Sequence, residues 1–166
     1  MITTTETTTT ARPPQVGEKA PDFKLILATG GMFQLSEATK KGPVIVAFFP
    51  GAFTGTCTKE MCSFTSSWNE YSKLGAQFVG VSVDSKHAQK AFIEKEKLGV
   101  PLASDFEKTT VRQWGVQWDS PWGVASKRAT FIVDRSGVVR HANVQANASE
   151  EPNYAEIQAA LAKVRT

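Results

Sequence analysis

The hydrophobic residues of this chain fall mostly into short runs, separated by polar segments that contain glycine. Residues 44–49, VIVAFF, form a continuous apolar run rich in strand formers, which is typical of a central strand buried on both faces. Residues 77–83 predict a second buried strand, and the segments 101–103, 130–133 and 138–142 predict three shorter ones. We therefore expect a sheet whose central strands are covered on both sides.

The segments between these strands carry helix signals. The C-terminal helix is the clearest, because Asn153 and Glu156 have the spacing of a capping box. The apolar residues of this helix recur at helical spacing and are Ile157, Ala160, Leu161 and Val164. The other expected helices are a short one that Ser36 caps and Gly42-Pro43 ends, one over 57–74, one that Asp84 or Ser85 caps and that runs to about Leu98, and one over 107–114.

Two hairpins are predicted from their turns. Residues 23–27 and 32–35 flank a diglycine turn, and the turn at 134–137, DRSG, has the Asp and Gly positions of a type I turn. Strands that alternate with helices, together with a late antiparallel hairpin, predict an α/β domain. Its central mixed sheet would be flanked by helices, with the N-terminal hairpin as an addition.

Composition and charge exclude several classes of protein. The 166 residues suffice for one domain, and 41 % hydrophobic with 21 % charged residues excludes a chain disordered throughout. The net charge is +3 and no cluster of five Lys or Arg occurs, so we expect no nucleic-acid partner. The longest apolar run has six residues, whereas a membrane helix needs about 20, so we expect no membrane span.

The N-terminal segment has an unusual composition. Seven of residues 1–10 are threonine, and the segment has neither the apolar stretch of a secretory signal nor the arginines of a transit peptide. It contains too little apolar surface to order itself. We predict a disordered Thr-rich tail over 1–14, a single domain over 15–166, and a cytoplasmic location.

The chain has two cysteines, Cys57 and Cys62. With only His87 and His141 beside them, the usual ligand sets of a structural zinc site cannot be assembled, and we expect neither a metal nor a cofactor. A domain of this size does not need a disulfide for its stability. The pair is therefore either inert or chemically active.

Cys57 stands where a buried strand, a loop of small residues and a predicted helix meet. Unpaired N–H groups and the positive end of the helix dipole favour a thiolate there. Thr54 has a hydroxyl that can donate to the sulfur or to an approaching oxygen, and Glu60 lies one turn further on. A single cysteine at such a position is more often a small buried side chain than a nucleophile. A single loop threonine is more often a turn residue. Together, at a strand-to-helix loop, they indicate a reactive site.

Four segments resemble one family, the peroxiredoxins. Residues 50–57, PGAFTGTC, match its Pro-x-x-x-Thr/Ser-x-x-Cys motif, and Glu60 stands where the family commonly has a glutamate. Residues 128–134, RATFIVD, resemble the segment that supplies its active-site arginine, and residues 17–23, GEKAPDF, are similar to its opening segment. The resemblance extends from Val16 to the end. It implies a thioredoxin-like fold and a thiol peroxidase of hydrogen peroxide and organic hydroperoxides.

The resemblance also implies a role for each site residue. Cys57 would attack a peroxide oxygen and become a sulfenic acid while water or an alcohol leaves. Thr54 and Arg128 would bind the peroxide oxygens, Pro50 would shield the thiolate, and Glu60 would orient the arginine. These roles fail if the Arg128 guanidinium points away and lies more than about 8 Å from the sulfur, because its N–H groups could then not reach the reacting atoms.

The role of Cys62 stays open at this level. In the bacterioferritin-comigratory or Q-type branch, a cysteine five residues after the first closes an intramolecular disulfide, and this chain has that spacing. On an intact helix, five residues correspond to about 7.5 Å of rise and about 140° of rotation, so residues 57–64 would have to unwind. The loop also resembles the AhpE-type branch, in which an external thiol resolves the sulfenic acid and Cys62 would simply be buried.

Two other functions share parts of this pattern. A thioredoxin-like disulfide oxidoreductase would carry Cys-x-x-Cys, whereas position 60 is Glu. A thiol-based redox sensor would keep Cys57 without needing Thr54 and Arg128 together.

Residues 114–123, WGVQWDSPWG, contain three of the four tryptophans. They form either a loop packed on the core or an aromatic patch at a subunit interface beside the site. The expected partners are a peroxide, a thiol reductant (thioredoxin, glutaredoxin or a low-molecular-weight thiol), and a second copy in a homodimer or higher homo-oligomer.

Overall fold

The computed structural model describes residues 11–164, which contain nine strands and five helices. The strands are β1 (Lys24–Leu27), β2 (Met32–Gln34), β3 (Val44–Phe48), β4 (Gln77–Ser82), β5 (Leu102–Ser104), β6 (Gln117–Ser120), β7 (Gly123–Ser126), β8 (Ala129–Val133) and β9 (Val139–Val144). The helices are α1 (Leu35–Ala38), α2 (Gly55–Lys73), α3 (Lys86–Glu96), α4 (Thr109–Gln113) and α5 (Tyr154–Val164).

Seven strands form one mixed sheet in the order β2-β1-β5-β4-β3-β8-β9. β3, β4 and β5 run parallel, whereas β8 runs antiparallel to β3 and β9 antiparallel to β8. β1 and β2 extend the other edge as the predicted hairpin. The α/β prediction with a central mixed sheet and an N-terminal hairpin is confirmed.

Side chains that alternate along β3 supply two cores. Ile45, Ala47 and the following Phe49 face the layer of α2, α3 and α5. Val44, Val46 and Phe48 face the layer that contains α1 and α4. None of these six residues has exposed surface. Because both faces of β3 are covered, residues 44–49 are apolar at every position rather than at alternate positions.

The pairing of β3 with β8 brings two of the predicted site residues together. Because the two strands are antiparallel, the last residue of β3, Phe48, lies opposite the first residue of β8, Ala129. The chain therefore leaves β3 towards Cys57 at the same edge of the sheet at which it enters β8 through Arg128. Two segments that are distant in sequence meet there.

Gly80 in β4 allows α2 to pack closely on the sheet. A Cβ atom at this position would lie 2.6 Å from Cδ2 of Leu102 and 3.3 Å from Sδ of Met61, which belongs to α2. The missing side chain thus lets the helix that carries Cys57 rest directly on β4.

Several predicted boundaries differ from the structure. α2 begins at Gly55 rather than at Cys57, so Cys57 is the third residue of the helix. Ser36 is not a cap, because α1 begins at Leu35; its N–H and Oγ each donate to the carboxylate of Asp22, both at 2.8 Å. Of the two cap candidates for α3, Ser85 is the one whose Oγ accepts from an N–H of the first turn.

The predicted tail over 1–14 lies mostly outside the described residues. Its last four residues are described, and Arg12 donates to both carboxylate oxygens of Glu18 at 2.7 and 3.0 Å. Pro14 is buried, and a Cβ at Gly115 would come within 2.4–2.6 Å of backbone atoms of residues 11–13. Residues 11–14 are thus in contact with the domain.

Within residues 11–164, no helix is long and apolar enough to cross a membrane. The same part of the chain contains no group of three or more His, Cys, Asp or Glu side chains able to hold a metal ion.

Candidate active site

Cys57 lies in the first turn of α2, directly after the loop that leaves β3. Thr54 is the N-cap with an extended backbone, and its carbonyl accepts from the N–H of Thr58 at 2.9 Å. The N–H groups of the next three residues, Gly55, Thr56 and Cys57, have no carbonyl partner within the helix, because no helical turn precedes them. The sulfur therefore sits beside the positive end of a 19-residue helix, and Cys57 has no exposed surface.

Arg128 is the charged partner of the sulfur. Its Nη2 donates to Sγ of Cys57 at 3.2 Å, well inside the range required above. Nη2 and Nε also donate to the carbonyl oxygen of Ala148, at 2.9 and 3.2 Å. Burial alone would lower the pKa of Arg128, but the charges of Glu60 and Cys57 outweigh it and raise that pKa above its ordinary value. Arg128 therefore stays a cation although only 1 % of it is exposed.

Glu60 pairs with the same guanidinium, one turn after Cys57. Its Oε2 accepts from Nη1 of Arg128, which leaves Nη2 for the sulfur. Its other oxygen, Oε1, is buried without a hydrogen-bond partner among the described residues. Burial raises the pKa of Glu60 to about 7, although the charge of Arg128 acts in the opposite direction. The predicted contact of Glu60 with the arginine is present.

Thr54 and Pro50 line a cleft of about 200 Å³ that reaches Arg128. The Thr54 hydroxyl donates to the carbonyl oxygen of Gly51 at 2.9 Å rather than to the sulfur. A rotation of the hydroxyl is needed before it can donate to an oxygen in the cleft. Pro50 is buried and forms the wall between β3 and this opening.

The loop is held by Asp84, which sequence reasoning considered only as a helix cap. Its Oδ2 accepts from the N–H of Ala52 at 2.8 Å and from Oγ of Ser82 at 2.7 Å. Ser82 in turn accepts from Nε2 of buried Gln89 at 2.9 Å. Asp84 therefore ties the backbone of the active-site loop to the end of β4.

Phe53 has a strained backbone conformation in this loop. It adopts a left-handed conformation with φ of 64°, which is uncommon outside glycine, asparagine and aspartate. Its ring, 49 % exposed, packs edge-on against Phe92 at 5.3 Å, and Nζ of Lys95 lies 5.6 Å from its centroid. These contacts with α3 hold the backbone turn that orients Thr54.

The three tryptophans of residues 114–123 separate in the structure. Trp114 is fully buried in the core on the α4 side, as expected for a segment packed on the core. Trp118 and Trp122 belong to an unpredicted hairpin, β6–β7, and line the cleft beside Arg128. The nearness of aromatic residues to the site is thus observed, whereas their place at a subunit interface stays a prediction.

Cys62 lies in α2 together with Cys57, and both are free thiols. The helix is continuous between them, so the two cysteines are separated by more than one helical turn, as predicted. Burial raises the pKa of Cys62, and the charge of Glu96 raises it further. Both effects favour the neutral thiol of Cys62, and the continuous helix keeps it from Cys57 until the helix opens.

The raised pKa of Glu60 predicts a pH-dependent stability. The folded state binds the Glu60 proton more tightly than the unfolded state, in which the pKa is near its ordinary 4.5. The contribution of Glu60 to the free energy of unfolding is therefore lost as the pH rises from about 5 to 8. Relative to Glu60→Gln, the wild type should lose about 2–3 kcal/mol of unfolding free energy over that interval in urea titrations.

The matched control is Glu70→Gln, an exposed glutamate on the same helix. Its pH profile should run parallel to that of the wild type. Parallel profiles for wild type and Glu60→Gln would show that the pKa of Glu60 is not raised.

The Asp84 network predicts a specific loosening of the loop. Asp84→Ala removes the acceptor of the Ala52 N–H, and loss of a hydrogen bond of this strength should speed amide exchange in residues 51–55 about tenfold. Asp84→Asn should restore most of the protection, because its amide oxygen can still accept. Hydrogen-exchange mass spectrometry checks this, and unchanged exchange in Asp84→Ala would contradict the anchoring role.

Comparison with known proteins finds similar sequences over most of the chain. The sequence profile described as the AhpC/TSA family matches residues 16–142. Over 124 residues the chain is 39 % identical to the chloroplastic peroxiredoxin Q of Sedum lineare, covering 75 % of this chain and 66 % of that protein. It is also 39 % identical over 129 residues to a candidate peroxiredoxin bcp of Coxiella burnetii, covering 75 % of this chain and 85 % of that protein.

Solved structures show the same likeness over most of the chain. Peroxidoxin BcpB from Mycobacterium tuberculosis matches with a TM-score of 0.83 at 30 % identity, covering 92 % of this chain and 99 % of that chain. A peroxiredoxin-like protein from Aquifex aeolicus matches with a TM-score of 0.84 at 25 % identity, covering 93 % and 90 %. The thioredoxin-like fold inferred from the resemblance is confirmed.

The chain spans 56–66 % of the length of the chloroplastic relatives it matches. The matched region nevertheless contains every predicted site residue, from Pro50 to Arg128. The chain belongs to the AhpC/TSA family, and the relatives that it matches there are peroxiredoxins of the Q and bcp kinds.

Proposed function

We propose that this protein is a thiol-dependent peroxidase that reduces hydrogen peroxide and organic hydroperoxides through Cys57. The observation that carries the proposal is the 3.2 Å contact between Nη2 of Arg128 and Sγ of Cys57, since the same arginine also lines an open cleft together with Thr54. A cation held at this distance stabilises the thiolate, and its N–H groups face the place where an oxidant reaches the sulfur.

The reaction follows from the placement of these groups. The Cys57 thiolate attacks the terminal oxygen of a hydroperoxide, an S–O bond forms, and the O–O bond breaks. The sulfur is oxidised to a sulfenic acid, and the leaving oxygen takes up a proton and departs as water or an alcohol. Arg128, which donates from Nη2, and the Thr54 hydroxyl then stabilise the charge that spreads over the three reacting atoms.

The sulfenic acid must next be resolved by a thiol, and we propose Cys62 for this step. A Cys62 thiol would form an S–S bond with Cys57 and release water, after which an external dithiol would reduce the disulfide. What supports the proposal is the five-residue spacing of Cys57 and Cys62, which resembles the pattern of the Q-type branch; what opposes it is the continuous helix between the two cysteines. An external thiol acting directly is the alternative.

A disulfide oxidoreductase and a redox sensor explain less of the site. The residue three positions after Cys57 is Glu60, whose carboxylate is committed to Arg128, so no second thiol stands at the position that thioredoxin-like exchange requires. A sensor needs a reactive thiol but no cleft in which Thr54 and Arg128 converge.

The proposal includes partners and a location. Thioredoxin, glutaredoxin or a low-molecular-weight thiol would regenerate the enzyme in a reducing compartment such as the cytoplasm. We also propose a homodimer or higher homo-oligomer, which membership of the AhpC/TSA family supports.

The proposal predicts distinct effects of the two cysteines. Cys57→Ser should abolish peroxide turnover with every reductant, because the nucleophile is removed. Cys62→Ser should still consume one equivalent of peroxide but should lose steady-state turnover with thioredoxin. Turnover by wild type and both variants with several reductants checks this, and full activity of Cys57→Ser would refute the proposed function.

The mass of the wild type after one equivalent of peroxide tests the resolving step separately. A loss of two hydrogens supports the Cys57–Cys62 disulfide. A stable added oxygen contradicts it and assigns resolution to an external thiol.

A further inference from the structure

We propose that Asn147 is a positioning residue for the reaction at Cys57, because it holds the peptide group whose carbonyl orients Arg128. Asn147 acts through these other groups, so its role rests on the proposed function of Cys57. The hydrogen bonds of the turn over residues 147–150 carry the inference.

The guanidinium of Arg128 is oriented by two acceptors that bind different donors. Nη1 donates to Oε2 of Glu60, whereas Nε and Nη2 both donate to the carbonyl oxygen of Ala148, at 3.2 and 2.9 Å. One acceptor alone would leave the planar guanidinium free to turn about that contact. The carbonyl of Ala148 therefore decides whether Nη2 also faces Sγ of Cys57, at 3.2 Å.

The carbonyl of Ala148 belongs to a peptide group that Asn147 binds from its other side. The same peptide group contains the N–H of Ser149, which donates to Oδ1 of Asn147 at 3.0 Å. Oγ of Ser149 donates to that oxygen as well, at 2.9 Å. Because a peptide group is planar, a fixed N–H also fixes the direction of the carbonyl. A hydrogen bond to the N–H further polarises the group and strengthens the carbonyl as an acceptor.

The segment around the turn has anchors that do not depend on the Asn147 side chain. The N–H of Gln145 donates to the carbonyl oxygen of Arg128 at 2.8 Å, which ties the segment to the start of β8. Nε2 of Gln145 donates to the carbonyl oxygen of Glu151 at 3.1 Å, which joins the two ends of the segment. Loss of the Asn147 side chain would therefore loosen the Ala148 peptide group without releasing the whole segment.

Asn147 is exposed, and its side-chain oxygen binds a residue of the same turn. Its replacement therefore removes no contact of the core, and the fold should persist. The reaction is more sensitive than the fold, because a small displacement of a group that binds the reacting atoms lowers a rate constant strongly. We expect the effect of Asn147 on the reaction at Cys57 to exceed its effect on stability.

The test compares two rate constants at Cys57, for oxidation by hydrogen peroxide and for alkylation by iodoacetamide, both followed by rapid quenching and mass spectrometry. Both reagents need an accessible thiolate, but only the peroxide needs donors that face its oxygens. In Asn147→Ala the ratio of the two rate constants, hydrogen peroxide over iodoacetamide, should fall about tenfold. Asn147→Asp should restore most of the ratio, because its carboxylate can accept from the N–H of Ser149 in the same turn.

Asn153→Ala is the matched control. Oδ1 of Asn153 accepts from the N–H of Glu156 at 3.2 Å, so this variant loses a hydrogen bond of the same kind, but at the start of α5. Its ratio should equal that of the wild type, although its free energy of unfolding falls. An unchanged ratio in Asn147→Ala would overturn the inference. An equal fall in Asn153→Ala would also overturn it, because the effect would then follow from lost stability. A wild type that iodoacetamide alkylates at Cys57 but hydrogen peroxide does not oxidise would refute the proposed function itself, and the role of Asn147 with it.

Discussion

A single buried guanidinium holds the site together. Arg128 has 1 % of its surface exposed, and its donors go to the sulfur of Cys57, the carboxylate of Glu60 and the carbonyl of Ala148. A charge buried this deeply is tolerated only when it is paired and hydrogen-bonded. The position of each partner therefore depends on the others. The β3–β8 pairing makes this possible, because it brings Arg128 to the end of the strand that leads to Cys57.

The packing of the first turns of α2 opposes the formation of a Cys57–Cys62 disulfide. Unwinding residues 57–64 would remove Met61 and Phe64 from the core, where neither has exposed surface, and each contributes about 1.5–3 kcal/mol by its burial. It would also separate Glu60 from Arg128, and an unpaired buried arginine is costly. In the proposed reaction, oxidation of Cys57 would change the sulfur to which Arg128 donates. The first turns of α2 would then be held most firmly when the sulfur is reduced, and more weakly once it has reacted.

Much of this structure could be predicted from local sequence pattern. Residues 44–49 are apolar at every position because both faces of β3 are covered, and the motif over 50–57 placed Cys57 at a helix start. The β6–β7 hairpin could not be predicted, because QWDS and GVAS alternate weakly and Pro121 with Trp122 do not form a common hairpin turn. Asp84 and Ser85 are equally good caps in sequence, and only the tertiary position of Ala52 decides that Asp84 serves the loop. The carbonyl of Ala148 has no sequence signal, since any residue supplies one.

We expect Arg128 to do more than stabilise the thiolate. Complete ionisation of an ordinary thiol raises its thiolate fraction only about 30-fold at neutral pH, so a larger acceleration must come from donors that face the breaking O–O bond. The direct measurement is the thiolate fraction of Cys57 and its rate constant with peroxide, both in wild type and in Arg128→Lys. The account predicts that the rate constant falls far more than the thiolate fraction. Parallel losses of the two quantities would contradict it.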